Sequence, residues 1–185
     1  MKTKILLMIM LLIGINAKSQ ITWEQIFNAI AGKTESFKNV TSQVVEVNSI
    51  MKFGGITRQV VQVLLPAGTE KWYYRITVLP VSMNYSYQSN ETFFYLLKNK
   101  KSMEIYSPTL YDKDNINFFI IGHSGDKSSF LSDNAFKSYY TKKNINSFIE
   151  GSTLSLDNLW IGIENPNKVH GLKVIVEVVA WGYFN

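Results

Sequence analysis

The sequence predicts a mainly β protein: a single antiparallel β-sandwich with a short N-terminal helix and one or two short helices inserted between its strands. Apolar residues recur at every second position in several separate segments, the spacing that lays one face of a strand on a core. Strand-like segments lie toward both ends of the chain, without the strand–helix alternation that builds a parallel sheet. No Pro/Gly/Ser-rich linker divides the chain, and no repeat is visible.

The N-terminus reads as a leader rather than as part of the sandwich. Met1-Lys2-Thr3-Lys4 precedes an apolar run from Ile5 to Ile15, and Ala17-Lys18-Ser19 follows it. A basic start, a short apolar run and small residues three apart are the layout of a secretory signal peptide. The run is too short to span a bilayer, which takes about 20 residues as helix. The expected organisation is a signal peptide over residues 1–19 and one sandwich domain over residues 20–185. The chain has no cysteine. That excludes a bacterial lipoprotein anchor and a disulfide framework, and leaves stability to an ordinary core. Richness in Lys, Asn and Ile suggests an AT-rich bacterial genome. The expected location is secreted, periplasmic or cell-surface, with no stable membrane anchor.

Charge narrows the partners. The chain holds 19 basic and 14 acidic residues. Lys2, Lys4 and Lys18 fall in the leader, so the remainder carries 16 against 14, a net of +2. That balance argues for neither nucleic acid nor an anionic membrane. Lys98-Asn99-Lys100-Lys101 and Lys142-Lys143 read as solvated loops.

After the leader, Thr22 and Gln25 have capping-box spacing, and Trp23, Ile26, Phe27 and Ile30 share one helical face. From Val40 the period becomes two: Val45 and Val47 alternate with Val44 and Glu46. Past Gly54-Gly55, Val61, Val63 and Leu65 repeat the pattern, and Pro66-Ala67-Gly68-Thr69 makes a tight turn. Trp72, Tyr74, Ile76 and Val78 then share one strand face and Tyr73, Arg75 and Thr77 the other, one expected on the core and one in water. Pro80 stops this strand. Helices are expected at about residues 91–97 and from Ser132 or Asp133 to Tyr140, where Phe136 and Tyr140 stand at i, i+4. Ile116 to Ile121 reads as a strand between them. Leu159, Ile161 and Ile163 precede a turn at Asn165-Pro166-Asn167-Lys168, and the run from Leu172 to Trp181 follows. Lys173 and Glu177 mark its wetter face, yet Ile175 and Val179 keep that face apolar enough for a central or covered strand.

Two stretches resemble GOLD-type β-sandwiches. One runs from Arg58-Gln59-Val60-Val61 to Lys71-Trp72-Tyr73-Tyr74; the other joins Leu159-Trp160-Ile161-Gly162-Ile163 to Val174-Ile175-Val176-Glu177-Val178. The resemblance implies a sandwich of GOLD or jelly-roll type that serves as an interaction domain without catalytic residues. It carries no functional residue over.

Gly122-His123-Ser124-Gly125-Asp126 gathers His, Ser and Asp. Asp126 stands where a nucleophile elbow needs its last glycine, and neighbours on an extended chain point apart. A strand followed by a glycine-containing turn is the expectation. His170, the second histidine, matches no zinc-ligand spacing. Asp112-Lys113-Asp114-Asn115 lacks the downstream bidentate glutamate of a calcium loop. No metal and no cofactor is expected. Tyr85, Tyr87, Tyr106 and Tyr111 lie in or beside polar loops, where a ring supplies contact area and a hydroxyl together. With His123 they form the candidate binding set. The expected function is that of an exported, non-catalytic binding module for a protein or glycan. The alternative is a secreted hydrolase with a carboxylate- or His-based site.

Overall fold

A computed structural model describes residues 32–82, 93–98, 114–156 and 158–184. The expected leader and first helix lie outside them. Within them the order is β1 (Thr34–Val47), β2 (Arg58–Val63), β3 (Thr69–Pro80), α1 (Phe93–Lys98), β4 (Ile116–Ile121), α2 (Ser124–Leu131), β5 (Tyr140–Ile145), β6 (Phe148–Ser152), β7 (Leu159–Glu164) and β8 (Leu172–Phe184).

The strands form two four-stranded antiparallel sheets, ordered β1-β8-β3-β6 and β2-β7-β4-β5. First therefore lies beside last, second beside seventh, third beside sixth and fourth beside fifth. A long double ribbon wrapped over itself in this order is a jelly roll, one way of closing a sandwich from eight antiparallel strands.

Period two decides which face each strand buries. Trp72, Tyr74, Ile76 and Val78 of β3 meet Phe118 and Ile120 of β4 and Ile161 and Ile163 of β7 in one core between the sheets. Tyr74 and Phe118 stack with centroids 5.3 Å apart, and Phe148 meets both rings edge-on. Such offset and edge contacts add to plain area burial. The turn from β2 to β3 depends on Gly68, whose φ of +90° suits glycine and whose missing Cβ leaves room for the Tyr183 carbonyl.

The outer face of β3 is not in water, contrary to expectation. Arg75 and Glu177 are register partners on β3 and β8, and their side chains are 12% and 4% exposed. Arg75 Nη2 donates to Glu177 Oε1 at 2.9 Å, and the Phe93 amide at the start of α1 donates to the same oxygen at 3.1 Å. The Arg75 guanidinium lies 5.5 Å from the Phe93 ring centre. α1 thus caps this face, and the covered strand inferred from Ile175 and Val179 is β8.

The second inserted helix is displaced from its predicted place. It spans Ser124–Leu131, directly after β4, where a turn was expected. The anchor is Phe130, buried against Phe119, Phe136 and Trp160 on the outer face of the second sheet. Gly162 leaves the flat spot that receives it, since a Cβ there would stand 3.2 Å from the Phe130 ring. Asp133 ends the helix in the left-handed region at φ 58°, with the Asn134 amide donating to Ser129 O at 2.9 Å and the Asp133 amide to Phe130 O at 3.3 Å. That is a Schellman stop. Phe136 therefore packs from an extended segment, and Tyr140 opens β5 instead of closing a helix. Arg58 fastens the arrangement, donating to Glu164 Oε1 at 2.7 Å and Phe130 O at 3.0 Å while pairing with Asp133 at 2.7 Å.

Candidate binding cleft at the sandwich edge

β5 and β6 are the edge strands of the two sheets, so the gap between them is an open side of the sandwich. Beside the apolar Phe148 and Ile145, these strands turn polar residues inward. Tyr140 and Lys142 stand opposite Ile120 and Phe118 on β4, and Glu150 stands opposite Tyr74 on β3. Tyr74, Tyr140 and Lys142 converge on the Glu150 carboxylate. Tyr74 Oη donates to Glu150 Oε2 at 3.0 Å, Tyr140 Oη reaches both carboxylate oxygens at 3.0 Å, and Lys142 Nζ lies 3.1 Å from Oε2. Lys142 also lies 4.8 Å from the Phe148 ring centre, keeping its stem on the core.

The electrostatics follow from this geometry. Partial burial by itself raises the Glu150 carboxyl, but bonds from Lys142, Tyr74 and Tyr140 outweigh it and hold the group below its ordinary value. Burial likewise pulls Lys142 down, and its bonds to Glu150 and Tyr140 reverse the sign and raise it. Burial, then the bond to Glu150, pushes the Tyr74 phenol well above an ordinary tyrosine. The cluster is a carboxylate–ammonium pair framed by two tyrosine side chains. Charges turned inward on edge strands also discourage another sheet from pairing there.

Tyr139 stands beside this cluster and is half exposed. Its amide is held by Ile120 O at 2.8 Å, and its ring packs over Gly122, where a Cβ would run into both Tyr139 and Leu156. The ring borders two cavities. One of about 220 Å³ is lined by Tyr74, Tyr140, Glu150, Gly151 and Leu154 among others. The other, of about 280 Å³, is lined by His123, Asp126, Lys137 and Ser138.

His123 is the one predicted binding residue within the described segments; Tyr85, Tyr87, Tyr106 and Tyr111 lie outside them. It is exposed at the N-cap of α2, with Nε2 3.3 Å from Tyr139 Oη. Asp126 accepts the Lys137 amide at 2.8 Å, so the carboxylate that could orient an imidazole holds a loop instead. His170 lies past the far end of β7, in the segment whose Asn167 reaches Asn115 O just before β4. His123 follows the opposite end of β4, so the two histidines are separated by roughly one strand length, about 20 Å. They cannot share a metal ion. Among the described residues no three His, Cys, Asp or Glu side chains cluster as metal ligands. Of the calcium-loop candidates Asp114 and Asn115 are described, and Asp114 is buried.

The residues that sequence reasoning missed are Tyr139, Tyr140, Lys142 and Glu150. Lys142-Lys143, read as a solvated loop, lies within β5 with Lys142 turned inward. The available signal was alternation of Tyr140, Lys142 and Asn144 with Thr141 and Lys143, a period of two written in polar letters.

No protein-family model matches the chain, and no curated protein matches its sequence. No helix among the described residues is long and apolar enough to cross a membrane.

Proposed function

We propose that this protein is an exported, non-catalytic binding module of a bacterial envelope or secretome, and that its cleft takes a glycan. The observation that carries the reading is Tyr139: a half-exposed ring between two cavities that offer Glu150, Asp126, Ser138 and two tyrosine hydroxyls. A sugar presents an apolar ring face and a rim of hydroxyls. An aromatic plate flanked by fixed donors and acceptors complements both. The basic, apolar and small-residue layout of residues 1–19 supports export.

Glu150 does not suit the general-acid role that a glycosidase needs. A glycosidase acid needs a carboxyl raised so that it holds a proton near neutrality. Glu150 is held in the opposite direction.

Native gels cast with soluble polysaccharides, such as glucans, mannans and xylans, test the reading. The wild-type chain is expected to be retarded by at least one of them, and Tyr139→Ala to migrate as in an empty gel with its melting temperature unchanged. Retardation that survives Tyr139→Ala, or none with any polysaccharide, refutes the assignment.

A further inference from the structure

The opposite end of the sandwich has a different chemistry. There the β1–β2 connection (residues 48–57), the end of β3 and the β7–β8 connection (residues 165–171) come together. Ile50 and Met51 donate to the Asn167 and Lys168 carbonyls at 3.0 and 3.1 Å. Asn165 Nδ2 donates to the carbonyls of Asn48 and His170 at 3.1 and 2.8 Å. Within the first connection, the Asn48 amide reaches Ile56 O and the Gly55 amide reaches Lys52 O, both at 2.8 Å. The two connections are therefore one hydrogen-bonded platform.

This platform carries its apolar side chains outward. Phe53 is 105% exposed, Met51 74% and Val169 68%, and Ile50, Ile56 and Val81 are exposed as well. A cavity of about 500 Å³ opens between them, lined by Met51, Lys52, Val81 and Val169 among others. Exposed apolar residues held up together on an ordered scaffold mark an interaction surface. Every ionic side chain within residues 48–57, 81–82 and 165–171 is cationic: Lys52 and Lys168 stand among the apolar tips, and these segments hold no carboxylate.

We propose that this tip docks reversibly on an anionic lipid bilayer. The apolar side chains are separate prongs interleaved with ammonium groups rather than a flat continuous patch. At a bilayer interface, prongs enter the acyl boundary while lysines stay at the level of the phosphates. Anionic lipid attracts each lysine near the surface. The small net charge of the chain does not oppose this, because the positive groups that matter are local to the tip.

The test is co-sedimentation of the full chain with large unilamellar vesicles of phosphatidylcholine, alone or with 30% phosphatidylglycerol. The apolar N-terminal run is common to every variant, so only differences between variants are read. Phe53→Ser is expected to lower partition into the mixed vesicles about tenfold or more, the loss of one buried phenyl ring. Lys52→Glu/Lys168→Glu is expected to remove the preference for phosphatidylglycerol. Tyr139→Ala, at the other end, is expected to bind vesicles like the wild type, so a failed glycan assignment leaves this result intact. All four positions are exposed, and unchanged melting temperatures confirm intact folds. Uptake that Phe53→Ser leaves unchanged overturns the proposal. So does the absence of uptake, including the case in which sedimentation velocity shows the tip joining two copies of the chain instead.

Discussion

Phe130→Ala probes how the second insertion is held. The ring is fully buried, with Phe119 and Phe136 centroids at 5.3 and 5.1 Å and the Arg58 guanidinium 5.3 Å from its centre. Below it, the bare Gly162 backbone offers no side chain that could swing into a vacated space. Truncating a buried phenylalanine costs about 3–5 kcal/mol, and the value depends on how far the site can collapse. Here the cover is one short helix and an extended segment, which can settle inward, so about 3 kcal/mol is expected. For a chain of this size that corresponds to a fall in melting temperature of about 6–12 °C. Urea titrations followed by circular dichroism and by tryptophan fluorescence measure it, Trp160 reporting from the same cluster. The midpoint should fall without a change in slope. A loss under about 1 kcal/mol would mean that Phe130 does not hold α2, and that the Arg58 contacts alone do.

Removing one partner of the buried Arg75–Glu177 pair is expected to be worse than removing both. Glu177→Leu should cost about 3–5 kcal/mol, and Arg75→Met/Glu177→Leu clearly less; equal losses in urea titration would contradict the pairing. Glu150→Gln is expected to change acid stability. Its carboxyl is held below its ordinary value, so its contribution is present above about pH 4.5 and fades as pH falls through the folded value. With both side chains about one-third exposed, the effect should be about 1 kcal/mol or less, visible as a flatter stability curve on the acid side; an identical pH profile would contradict it. Gly68→Ala should cost about 2 kcal/mol or more, from left-handed strain and from displacing the Tyr183 carbonyl. An unchanged melting curve would show that the turn relaxes freely.

The sandwich was legible because its central strands are written in apolar letters at period two. Trp72, Tyr74, Ile76 and Val78 have the same faces in the structure as in the sequence, and so do Leu172, Val174, Val176 and Val178. The edges were not legible, and the reason is physical. β5 and β6 line an open side, where an inward residue need not be apolar, so Lys142 and Glu150 hide the alternation. The helix at 124–131 was missed because one residue, Phe130, is its buried anchor, and apart from the exposed Leu131 its other positions are polar or small. A single anchor leaves no periodicity to find. Arg75 looked like a solvent-facing charge because its cover comes from α1, a segment remote in sequence. The cleft shares this cause: Tyr74 on β3, Glu150 on β6 and Tyr139 just before β5 line one cavity only because distant segments come together.

Pairing the first strand with the last has a consequence for how the molecule comes into being. Arg75 and Glu177 lie 102 positions apart and Arg58 and Glu164 lie 106 apart. The first sheet cannot close until β8 is at hand, and the second cannot until β7 is. Such distant partnerships make for slow closure, in milliseconds to seconds. A nascent copy must therefore remain open until its synthesis is nearly finished. That interval is when its valine-rich segments are most exposed to aggregation.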